Sequence, residues 1–99
     1  NLLQTCNEIG SCRSLQRLNL NDNKIADIKF LEGLPLRSLY LANNRIKSIQ
    51  PLTQNQLFEI VDLTNNEFLS LKPLQNCKNL RKLKISGSKV TNIDEFEFI

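Results

Sequence analysis

No histidine occurs in this chain of 99 residues, and it has only one tyrosine and three cysteines. Without histidine, three thiols fall short of the four ligands of an ordinary structural zinc site. The odd cysteine count also speaks against a disulfide framework. Neither a glycine-rich phosphate loop nor a serine in a nucleophile context is present, so no catalytic constellation can be assembled. Neither an enzymatic activity nor a cofactor is expected. No apolar run approaches the roughly 20 residues that span a bilayer. The opening stretch from Asn1 to Glu8 lacks the basic start and the apolar block of a secretory leader. Charge of one sign is scarce too: 13 basic against 10 acidic residues leave a net +3, which by itself implies no nucleic-acid partner.

What is present is an ordinary globular composition, 40% hydrophobic and 23% charged, in a chain long enough for one domain or a piece of one. Its hydrophobic residues are strictly ordered. Aligned on Asn44, equivalent positions fall at Asn23, Asn66 and Ser88, with Asn1 one further step upstream. Around each anchor apolar residues stand three, five and eight places before and two, five and eight places after. The units read Leu15, Leu18, Leu20, Ile25, Ile28, Leu31; then Leu36, Leu39, Leu41, Ile46, Ile49, Leu52; then Phe58, Val61, Leu63, Phe68, Leu71, Leu74; then Leu80, Leu83, Ile85, Val90, Ile93, Phe96. A half unit precedes them as Leu3, Cys6, Ile9 and Cys12. The first half of each unit alternates as in a strand with one buried face. The second half steps by three, the period of a tight 3₁₀ turn. No single unit can bury its own apolar side, so neighbours must stack.

The pattern Leu-x-x-Leu-x-Leu-x-x-Asn-x-Ile-x-x-Ile-x-x-Leu resembles the leucine-rich repeat family over the whole chain. Its length of 21 to 22 residues is similar to the short subclass of a protein phosphatase 1 regulatory subunit and of bacterial internalins. The resemblance implies an α/β fold class in the form of a right-handed solenoid, with short parallel strands on the concave face and 3₁₀ turns or loops on the convex face. It divides the chain into a half repeat (1–14) and repeats 15–35, 36–57, 58–79 and 80–99. Terminal capping structure is missing from this division, which suggests a unit continued by neighbouring chain. Val90 to Phe96 is similar to the start of the cap that follows the last repeat in acidic nuclear phosphoproteins and the spliceosomal A′ protein, although the same residues also fit an ordinary repeat.

Asn23, Asn44 and Asn66 stand where the chain turns in after each strand, and an amide there can both donate and accept. They are expected to form a buried structural ladder that Ser88 interrupts. The cysteines occupy repeat positions and read as small buried hydrophobes. Cys12 and Cys77 lie three repeats apart, about 14 Å at strand spacing, beyond disulfide reach. A reduced chain, cytoplasmic or nuclear, is the simpler reading, and the absence of any Asn-x-Ser/Thr sequon agrees with it.

Function is left to the solvent side of the strands, which alternation identifies. Those positions are Arg17, Asn19 and Asn21; Ser38, Tyr40 and Ala42; Ile60, Asp62 and Thr64; and Lys82, Lys84 and Ser86. Tyr40 and Ile60 are expected to stand side by side and exposed, with Arg17, Asp62, Lys82 and Lys84 around them, which is the makeup of an interface hot spot. The expected partner is another protein. A further basic group, Lys78, Arg81, Lys82, Lys84 and Lys89, reads better as a solvated charged face than as a nucleic-acid site, since regular aromatic interleaving is lacking. The alternatives are a purely structural segment of a larger adaptor or enzyme, and a bacterial surface or secreted adhesin, to which Pro51-Leu52 and Pro73-Leu74 give internalin-like support.

Overall fold

In each unit two or three apolar residues alternate and then give way to a polar turn, so each strand is short. The computed structural model describes residues 15–89. It contains four strands of three residues each: β1 (Arg17–Asn19), β2 (Ser38–Tyr40), β3 (Ile60–Asp62) and β4 (Lys82–Lys84). They form one parallel sheet in sequence order. The register sets Leu18 beside Leu39, Leu39 beside Val61 and Val61 beside Leu83. The expected parallel solenoid layout is what the chain adopts. The expected half repeat 1–14 and the end of the expected last repeat, residues 90–99, with Cys6, Cys12 and the cap-like Val90 to Phe96, lie outside the described residues.

Strand pairing continues past the strand ends. Leu20, Asp22, Leu41, Asn43, Leu63 and Asn65 each donate an N–H to a carbonyl of the next unit at 2.8 Å. The chain then reverses at Asp22, Asn43, Asn65 and Gly87, all with φ between 57° and 77°. Aspartate, asparagine and glycine are the residues that tolerate this left-handed conformation best.

Three single-turn 3₁₀ segments, Lys29–Leu31, Gln50–Leu52 and Lys72–Leu74, form the opposite side. No α-helix occurs among the described residues. Each segment is entered the same way: the side chains of Asp27, Ser48 and Ser70 accept the N–H of Lys29, Gln50 and Lys72. Pro51 and Pro73 occupy the first turn of their segments. Their fixed φ suits that place and their missing N–H costs nothing there, so both prolines are explained by local geometry.

Between the two sides lies a single core. The six apolar positions of the two central units, from Leu36 to Leu52 and from Phe58 to Leu74, are all essentially inaccessible. Leu15, Ile25, Leu80, Leu83 and Ile85 in the outer units are partly buried. Each fully buried side chain contributes on the order of 1.5–3 kcal/mol of transfer free energy, most of it offset by chain entropy.

Asn44 and Asn66 are buried; Asn23, expected to be buried with them, is only half-buried. Asn44 Nδ2 donates to the carbonyls of Leu20 and Leu41, both at 3.0 Å, while its Oδ1 accepts the Ile25 N–H at 3.1 Å. Asn66 repeats this one unit later with Leu41, Leu63 and Ile46. Each amide therefore clamps its own turn to the preceding unit. Asn23 binds the carbonyls of Leu20 and Asn21 within its own turn. Ser88 is half-buried, and its backbone N–H is held by the Ile85 carbonyl at 3.1 Å.

Candidate protein-binding face

Pleating turns residues 17, 19, 38, 40, 60, 62, 82 and 84 to one side of the sheet and Leu18, Leu39, Val61 and Leu83 into the core. The register arranges the outer side chains in two rows. One runs Arg17, Ser38, Ile60, Lys82; the other runs Asn19, Tyr40, Asp62, Lys84.

This arrangement corrects three expectations. Tyr40 is not beside Ile60: its lateral neighbours are Asn19 and Asp62, and Ile60 sits diagonally across, about 8 Å away at normal strand geometry. Tyr40 and Ile60 are half-buried rather than fully exposed, because neighbouring strands crowd them from both sides. Ser38 and Ala42, on the outward side by alternation, are only 7% and 8% exposed. Side chains this short are shaded by larger ones in the adjoining strands.

Several polar candidates also hold backbone. Asn19 Oδ1 accepts the Asn21 N–H at 3.0 Å, and Asp62 Oδ1 accepts both the Thr64 N–H (3.0 Å) and the Thr64 hydroxyl (2.7 Å). Asn21 Oδ1 accepts the Ala42 N–H of the next unit at 2.7 Å. Arg17, Lys82 and Lys84 are exposed and form no ion pair among the described residues. The face is thus two half-buried apolar side chains over a floor of small residues, with exposed cations on both outer strands of the described residues.

Three features went unread in the sequence. Before the strands, Glu59 lies between Arg37 (3.1 Å) and Arg81 (3.8 Å), an alternating charge column one unit apart. At the turns, Asn43 Nδ2 donates to Asp22 Oδ1 (2.7 Å) and Asn65 Nδ2 to Asn43 Oδ1 (2.8 Å). Both columns are visible at the repeat spacing once it is applied to polar positions. Leu69, 69% exposed, and Leu57 are the large hydrophobic residues exposed among those described, and both lie off the sheet face.

Comparison with known proteins places the fold. Two models described as leucine-rich repeat match, one over residues 11–28 and one over 35–57. The chain belongs to the leucine-rich repeat family. These leucine-rich repeats are 35% identical to the leucine-rich repeat-containing G-protein coupled receptor 5 of Rattus norvegicus, over 90% of the chain but 10% of the receptor. They are also 35% identical to a probable U2 small nuclear ribonucleoprotein A′ of Caenorhabditis elegans, over 80% of the chain and 34% of that protein. The chain thus spans about a tenth of one relative and a third of the other. Among solved structures, internalin C2 from Listeria monocytogenes superposes with a TM-score of 0.82 at 24% identity, over 88% of the chain and 39% of the internalin. At that identity the likeness is one of fold. A receptor and a ribonucleoprotein component share this repeat, so the repeat itself selects no compartment.

Proposed function

We propose that this leucine-rich repeat segment is a protein-binding scaffold that uses the outer face of its sheet, with Tyr40 and Ile60 as apolar anchors, Asn19, Asn21 and Asp62 shaping the surface and Arg17, Lys82 and Lys84 at its charged ends. The observation that carries the reading is the half-buried Tyr40: the repeat requires no aromatic there, and the ring stands on a strand already paired on both sides. Tyrosine supplies large rigid contact area at little entropic cost. Catalysis is not part of this role. The buried, unpaired Cys77 thiol supports a reducing compartment, cytoplasmic or nuclear.

The test is Tyr40→Ala, measured by calorimetry against the protein that the wild-type chain captures. A central anchor predicts a loss of about 2 kcal/mol in binding with little change in the unfolding midpoint. Unaltered affinity would remove the sheet face from consideration.

A further inference from the structure

The first row of the sheet face has an order of its own. Arg17 and Lys82 stand at its two ends, three strand spacings or about 14 Å apart. Between them Ser38 forms a small, covered floor with Ile60 beside it in register and Tyr40 two residues farther along the same strand. This is a shallow seat between an aromatic and an aliphatic wall, with a cation on either side of it. Lys84 adds a third cation on the second row. The ion pairs among the described residues lie outside these rows, at Glu59 with Arg37 and Arg81, so none neutralises Arg17, Lys82 or Lys84. Asp62 is the one acid in the rows, and its Oδ1 already accepts two hydrogen bonds from Thr64.

Building on the proposal that this face binds protein, we infer that the partner presents an acidic extended segment in which an apolar side chain lies between two carboxylates. An extended chain laid across the strands advances about 3.3 Å per residue and shows alternate side chains to one face. Carboxylates four residues apart then reach Arg17 and Lys82, about 13 Å apart on the ligand, while the residue midway falls between Ser38 and Ile60, where the covered Ser38 leaves room for it beside Ile60 and Tyr40. A nucleic-acid strand fits less well. Its regularly spaced phosphates would meet the Asp62 carboxylate in the second row and that of Asp22 at the turns beyond it. Tyr40 is also the single aromatic available for stacking on the face.

The test titrates the isotopically labelled chain, followed by NMR, with a short synthetic peptide bearing two glutamates four residues apart and a leucine midway. Parallel titrations use the same peptide with lysines for glutamates, with serines for glutamates, and a single-stranded polyuridine RNA. Shifts should concentrate on residues of the two rows with the acidic peptide and vanish with the lysine peptide. The double variant Arg17→Glu/Lys82→Glu, at exposed positions that leave the core intact, should weaken acidic-peptide binding by about tenfold or more. Raising salt should weaken it further. No shift with the acidic peptide at millimolar concentration overturns the inference. Equal binding of the serine peptide on the rows also overturns it while leaving the sheet face as a protein-binding surface. Shifts confined to residues off the rows overturn both readings, and tighter binding of the RNA replaces the acidic segment with nucleic acid.

Discussion

Asparagines of the turns perform different tasks among the described residues, and burial helps to separate them. Asn44 holds the buried carbonyls of Leu20 and Leu41 and the part-buried N–H of Ile25. Removing it strands the Ile25 N–H, while the Leu20 and Leu41 carbonyls keep the amides of Asn23 and Asn66, so Asn44→Ala should cost about 2 kcal/mol in urea unfolding. Asn23→Ala, at a half-buried site whose partners lie in its own turn, should cost about 1 kcal/mol. Asn43 and Asn65 instead take a left-handed turn and link side chains along the surface. Gly87 ends that column because a Cβ there would overlap Asn65 Oδ1, whereas Gly33 has open space around it at a similar positive φ. Gly87→Ala should therefore lower stability by about 2 kcal/mol and Gly33→Ala by about 1 kcal/mol, the difference measuring the contact with Asn65. Cys77 is buried with its Sγ 3.3 Å from the Asn55 carbonyl, and desolvation raises its pKa from 9.0 to about 11. The unfolded thiol loses its proton first as pH rises, so this residue's contribution to stability is intact below pH 9 and is lost between pH 9 and about 11. Wild-type and Cys77→Ala unfolding curves should diverge in slope against pH only in that window.

At the level of the element, the strands and the 3₁₀ turns draw on different parts of the repeat. The strands are three residues long, and their pairing extends beyond them through the left-handed turns, so the sheet is held by the turn chemistry as much as by the strand residues. Each 3₁₀ turn is set by a side-chain acceptor two residues before it, at Asp27, Ser48 or Ser70. Val61 lies at the centre of the sheet with Leu39 and Leu83 on either side. Val61→Ala should destabilise the fold by roughly 2 kcal/mol through lost burial and the cavity left behind, measured by thermal or urea unfolding. The inward leucines were legible because a fixed spacing repeats the same period change, and the parallel pairing followed from the resemblance to leucine-rich repeats that this spacing carries. The exposure of the outward positions was not, because alternation assigns a side of the sheet but not how far neighbours cover it. Ser38 and Ala42 are outward yet covered, and Tyr40 and Ile60 are half so, for that reason. Lateral partners were misread for a related cause. Tyr40 faces Asp62 rather than Ile60, which requires the register and not just the strand order.

Across the whole molecule the described residues form one sheet, one side of 3₁₀ turns and one core between them, and the outer face of the sheet is the surface the repeat leaves unassigned. The prolines that resemble those of internalins are accounted for by the 3₁₀ turns they begin, so they add nothing to an adhesin role. Leu69 is more exposed than any residue of the sheet face treated as an anchor, yet it stands alone, and single exposed leucines are common on protein surfaces. The claim that the sheet face is where a partner sits is tested most directly by photo-crosslinking in extracts of the native cells. A photoreactive amino acid replaces Asn19, on the sheet face, in one sample and Lys47, on the exposed turn after the second strand, in another. The account predicts one discrete crosslinked partner from position 19, lost when Tyr40→Ala is added, and none from position 47. The same partner crosslinked from position 47 and absent from position 19 would contradict it.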